Sequence, residues 1–168
     1  MKNLILFVLP VSLLFMSCEK SENSYEIGIS NVLQRETFFK DLNCKSDFYY
    51  HILITSDTLF VDGKLQNEFG NYKGVLTNTE IENFSQLINN IKGKERKEKT
   101  LNPTKGMTAL IIKENGKTID SLVNFRTEWN KTDLDLFNYV GKLICEKNLI
   151  KIKDTINYPT WEMIKPPE

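Results

Sequence analysis

The chain has one histidine, three cysteines and no net charge, its 22 basic side chains being matched by 22 acidic ones. Each scarcity excludes something. A single histidine, His51, excludes a site built on several imidazoles. A balanced charge leaves no basic footprint of the kind that nucleic acid selects, so no nucleic-acid partner is expected. One apolar run excludes a polytopic membrane protein. No glycine-rich phosphate loop, nucleophile elbow or Cys-x-x-Cys pair occurs, and neither a metal nor a cofactor is expected. What remains is 40% hydrophobic and 11% aromatic, too rich for a disordered chain. The 168 residues suit one folded domain, since domains commonly run to about 100–200 residues.

The N-terminus carries the clearest signal. Lys2 and Asn3 precede an apolar run from Leu4 to Met16, interrupted by Pro10 and Ser12. The run is shorter than the ~20 residues that a spanning helix needs, so it reads as the hydrophobic core of a signal peptide. It ends in Leu14-Phe15-Met16-Ser17-Cys18. This segment resembles the lipobox of bacterial lipoproteins, with Phe15 where leucine is usual. The resemblance implies a signal peptide over 1–17, removed ahead of Cys18. It also implies diacylglyceryl and palmitate-type chains on Cys18, anchoring the protein to a membrane. Glu-Lys-Ser-Glu follows the cysteine, and 18–27 reads as a polar tether, leaving 28–168 as the domain. Glu19, in place of aspartate, resembles the sorting signal for the outer membrane, on its periplasmic or its surface face.

Behind the tether, one pattern occurs twice. Phe48 to Thr55 is aromatic and β-branched, as a strand should be. Ser56-Asp57 offers a turn into a second strand over Thr58–Val61, which Asp62-Gly63 closes as a hairpin signal. A short strand over Tyr72–Leu76 is expected after Gly70. Thr77-Asn78-Thr79-Glu80 spells a capping box, and Ile81, Phe84, Leu87, Ile88 and Ile91 recur at helical spacing up to Gly93. The second half begins with a strand over Thr108–Ile112. Asn115-Gly116 suits a type I′ turn into Thr118–Phe125, where Ile119, Val123 and Phe125 alternate with Asp120 and Asn124. Thr132-Asp133-Leu134-Asp135 resembles a second capping box. Phe137, Val140 and Ile144 give that helix its inner face, and Asn148 is the expected C-cap. The expectation is an α+β fold, with an antiparallel sheet of about five strands and two helices packed on it in the order strands, helix, strands, helix.

The reactive residues are few. His51 falls inside a strand pattern, where a structural role is expected. A Cys44–His51 nucleophile pair lacks a third, orienting group. Asp133 and Asp135 are accounted for by the helix dipole, which favours negative charge at a helix start. With Cys18 lipidated, Cys44 and Cys145 remain. Either they pair, as envelope thiols commonly do, or they stay separate, with Cys145 packed along the second helix. Lys92, Lys94, Arg96, Lys97 and Lys99 form a basic run that suits either anionic lipid headgroups or a solvated loop. The tail from Tyr158 to Pro167 carries three prolines and should be extended. Its Tyr158 and Trp161 are candidate binding aromatics for a partner. The competing expectation folds Trp161 back over an open end of the core, beside Met163 and Ile164.

A second resemblance runs over about residues 28–150. Cys44, Asp62, Gly63, Gly70, Tyr72, Gly74, Leu76, Thr77, Glu80 and Ile81 stand in an order similar to an uncharacterised domain family of bacterial envelope lipoproteins. That family usually carries a second cysteine and a proline shortly after the first cysteine, where Phe48 and Tyr49 stand here. The resemblance implies a fold and no activity. The expected function is therefore that of a non-enzymatic, lipid-anchored binding module for an envelope protein or glycan, of immunity or inhibitor type. The alternative is a hydrolase of envelope polysaccharide that uses an unrecognised carboxylate pair.

Overall fold

A computed structural model of the chain describes residues 24–32, 48–65, 68–94, 107–125 and 129–160. Over these residues the fold is α+β: one antiparallel sheet with two helices. The strands are β1 (Tyr25–Val32), β2 (Phe48–Thr55), β3 (Thr58–Leu65), β4 (Glu68–Val75), β5 (Met107–Glu114), β6 (Lys117–Phe125) and β7 (Ile150–Ile152); the helices are α1 (Asn78–Ile91) and α2 (Lys131–Glu146). The sheet has seven strands, in the order β6-β5-β1-β2-β3-β4-β7, rather than the five expected. The two additional strands are β1, in the interior between β5 and β2, and β7, at one edge. β1 also moves the start of the domain: it begins at Tyr25, inside the stretch read as tether.

The registers sort the side chains between two faces. Ile27 pairs with Ile54 and Ile112, Ile29 with Ile52 and Leu110, and Leu59 and Val61 continue the same face. Because neighbours across strands share a face, these residues form one apolar surface. They cluster with Phe84, Ile88 and Ile91 of α1 and with Leu136, Phe137, Val140 and Ile144 of α2. α1 carries the chain from β4 to β5 on the other side of β1, and α2 returns it from β6 to β7 beside β4.

Local chemistry sets the boundaries. Thr77 caps α1: its Oγ1 accepts from the Glu80 amide, and Glu80 Oε2 accepts from the Thr77 amide at 2.7 Å. Asn115 and Gly116 both have positive φ, as a type I′ turn requires. Ser56-Asp57 turns β2 into β3. Asp62-Gly63 does not turn; β3 continues to Leu65, with Gly63 opposite Gly70. Continuation buries Leu65, and Tyr72 OH donates to the Leu65 and Glu68 carbonyls. α2 is capped by Asn130 and not at Thr132. The Asn130 Oδ1 accepts from both the Asp133 amide and the Thr132 hydroxyl, and asparagine is among the best N-caps. Its C-cap is Lys147, one residue before the expected Asn148. Ile119 is not turned inward as the alternation suggests. The register steps from Ile112–Asp120 to Lys113–Thr118, leaving Ile119 as the extra residue of a bulge, 39% exposed.

Candidate functional site

The sheet face away from the helices carries a polar row. Ser30 of β1 stands opposite His51 of β2, His51 opposite Asp62 of β3, and Asp62 opposite Asn71 of β4. Four strands thus each contribute one polar side chain to a line across the sheet. Alternation produces the line: Ile27, Ile29, Ile52 and Val61 point to the helices, so their neighbours point the other way.

The C-terminal segment lies over this row. Beyond β7, Asn71 donates from Nδ2 to the Asp154 carbonyl at 3.2 Å, and Tyr158 OH donates to Asn71 Oδ1 at 3.0 Å. The Tyr158 ring lies 5.4 Å from the His51 ring, tilted by 31°. Ser30 Oγ contacts His51 Nδ1 at 2.5 Å and also hydrogen-bonds Thr160 Oγ1. Tyr158, Ser30 and Thr160 are buried, at 1%, 0% and 0% exposure. Gly28 admits the close approach. A Cβ there would stand 2.9 Å from Pro159 Cγ and 2.8 Å from Ile111 Cγ2, distances that real Cβ contacts do not show. The segment is a strap, buried along one edge of the polar row and exposed at Lys153, Asp154 and Thr155.

Burial sets the electrostatics. Desolvation lowers the His51 pKa from 6.5 to about 4, so the imidazole is neutral at pH 7. Desolvation raises Asp62 above the usual carboxylate range. It also raises Tyr158 far above the ordinary phenol range, with the Asp62 charge adding to the effect. A histidine whose folded pKa lies below its unfolded value binds a proton more readily in the unfolded chain. Stability therefore falls as pH drops from about 6.5 towards about 4. Asp62 acts in the opposite direction, because its raised pKa favours the protonated folded state. Urea midpoints measured across that window should decline in the wild type. They should decline less in His51→Gln, and parallel curves for the two proteins would show that His51 is not the linked group.

By atom type Ser30 and His51 are a nucleophile and a base, which the sequence reading did not bring together. Acyl transfer needs more. The serine must reach substrate, and here it is covered by Thr160. An oxyanion needs donors, and β1 is laddered to β2 on one edge and β5 on the other, so its amides are engaged. Among the described residues no group of three His, Cys, Asp or Glu side chains could hold a metal. Asp133 is buried in the first turn of α2, whereas Asp135 is exposed.

The other sequence-derived candidates divide. Tyr158 is not an exposed anchor for a partner; it is buried in its own domain. Trp161, with Met163 and Ile164, lies outside the described residues, as do Cys18, Cys44 and the basic residues Arg96, Lys97 and Lys99. Cys145, on α2, is disulfide-bonded, and the other half of the bridge also falls outside them. No described helix is long and apolar enough to cross a membrane. Comparison with protein-family models, with curated proteins and with solved structures finds no match, so the two resemblances rest on the residues quoted for them.

Proposed function

We propose that this chain is a lipid-anchored protein of the bacterial envelope, held to the outer membrane through Cys18, whose domain is a non-catalytic interaction module. Its partner on this reading is an envelope protein or glycan, bound in the manner of an immunity or inhibitor protein. The observation that carries the proposal is the use made of the Ser30–His51 pair. The pair sits under the chain's own C-terminal strap, with Ser30 and Thr160 fully buried, and serves to hold that strap. Asp62, the carboxylate within this row, has His51 and Asn71 as cross-strand neighbours. A second carboxylate, which glycoside hydrolysis needs about 5–10 Å away, is not among those neighbours.

The anchoring half of the proposal is tested by metabolic labelling with a fatty-acid analogue. Wild type should take up the label. Cys18→Ala should not, and should accumulate either as an unprocessed precursor or as a released chain. Equal labelling of the two would remove the basis for the proposal.

A further inference from the structure

Several features gather at the end of the sheet where the chain enters β1. Asn115, in the β5–β6 turn, receives the Ser24 amide on its Oδ1 at 3.2 Å and donates its own amide to the Ser24 carbonyl at 2.9 Å. The residue preceding β1 is therefore fastened to the tip of the β5–β6 hairpin. The C-terminal turn of α1 reaches the same place: Lys92 Nζ pairs with Glu114 at 2.6 Å and lies 5.4 Å from the centre of the Tyr25 ring. Between that turn and the β6 bulge is a cavity of about 100 Å³, with Ile88, Ile91 and Ile112 among its walls and Ile119, Asp120 and Lys94 beside them. Ile119 is exposed there because of the bulge. Lys94 and Lys117 are exposed and have no ion-pair partner among the described residues.

Resting on the Cys18 anchor proposed above, we infer that this end, formed by Lys92–Lys94 and the β5–β6 hairpin, is the surface that lies against the bilayer. Lys94 and Lys117 would meet anionic phospholipid headgroups, with Ile119 between them. The first argument is reach. Five residues lie between Cys18 and Ser24, and the chain from one to the other, at about 3.5 Å per residue, spans at most roughly 20 Å. A chain fixed at Ser24 to the hairpin tip thus keeps that tip near the membrane whatever path the five residues take. The second is chemistry. An exposed isoleucine flanked by lysines suits the boundary of a bilayer, where the aliphatic group enters the acyl region and the ammonium groups stay at the phosphates. The third is sequence: Arg96, Lys97 and Lys99 follow Lys94, with Glu95 and Glu98 among them, and leave the run net basic. The same placement turns the strap, and the start of α2 beyond the far end of β6, away from the lipid.

The test uses the full lipidated chain in vesicles of phosphatidylcholine with one third phosphatidylglycerol. A water-soluble amine reagent is applied, and lysines are quantified by mass spectrometry against the same chain in detergent. Lys94 and Lys117 should label several-fold more slowly on vesicles, whereas Lys131 and Lys153 should be unchanged. High salt should narrow the difference, since it screens headgroup contacts. A chain that floats with the vesicles yet labels uniformly, or is protected at Lys153 instead, overturns this inference alone. A chain that does not float overturns the anchor and this inference together.

Discussion

Ending the chain at Asn157 is expected to destabilise the domain severely, although only the last 11 of the 168 residues are lost. Tyr158 is the largest of the fully buried side chains among the described residues, and truncating a buried large aromatic side chain typically costs about 3–5 kcal/mol. The deletion also removes the cover that Thr160 gives buried Ser30 and that Pro159 gives Gly28. Set against a total stability of about 5–15 kcal/mol, that loss leaves a marginal domain. Chemical denaturation should show a large fall in midpoint, or no cooperative transition at all. Tyr158→Ala in the full chain gives the same reading if the truncated protein does not accumulate. A full-length-like midpoint for both variants would mean that the strap is not part of the core.

Loss of the bridge at Cys145 is the second large effect. Cys145 is disulfide-bonded on α2, and with Cys18 assigned to lipid its partner on our reading is Cys44. That link closes a loop of about a hundred residues, which in the chain-entropy model contributes up to about 4.7 kcal/mol. Cys145→Ser and Cys44→Ser should therefore lower the denaturation midpoint equally, and the double variant no further. Adding reductant to the wild type should reproduce the single variants. If Cys44→Ser leaves an oxidised, fully stable protein, the pairing is wrong.

The parts of the fold that were legible are those fixed by neighbours in sequence. Thr77 and Glu80 are three residues apart, and each satisfies the other's amide. Asn115-Gly116 needs only its own backbone freedom to turn. β1 was missed despite carrying a clear period of two, with Ile27 and Ile29 alternating with Gly28 and Ser30, because it follows directly on a polar tether. β7 has three residues, too few for a pattern; it forms only because β4 offers an edge. Asp62-Gly63 has the composition of a turn. The burial of Leu65 and Tyr72 in the core overrides it, and only the folded sheet contains that information. The candidate site was illegible for the same reason. Ser30 meets Thr160 across 130 positions of sequence, and no local signal pairs a serine in a central strand with a threonine in a tail. Tyr158 was visible as a large aromatic, but whether it faced a partner or its own sheet depended on Gly28 and Asn71, which receive the strap.

The central claim, that Ser30 and His51 hold the strap and do not form a reaction centre, meets its most direct test in the reactivity of Ser30. The folded full chain is incubated at neutral pH with a fluorophosphonate, which modifies serines activated by a neighbouring base, and adducts are located by mass spectrometry. The account predicts no adduct at Ser30, with the same result for His51→Gln. An adduct at Ser30 in the wild type that disappears in His51→Gln would contradict it.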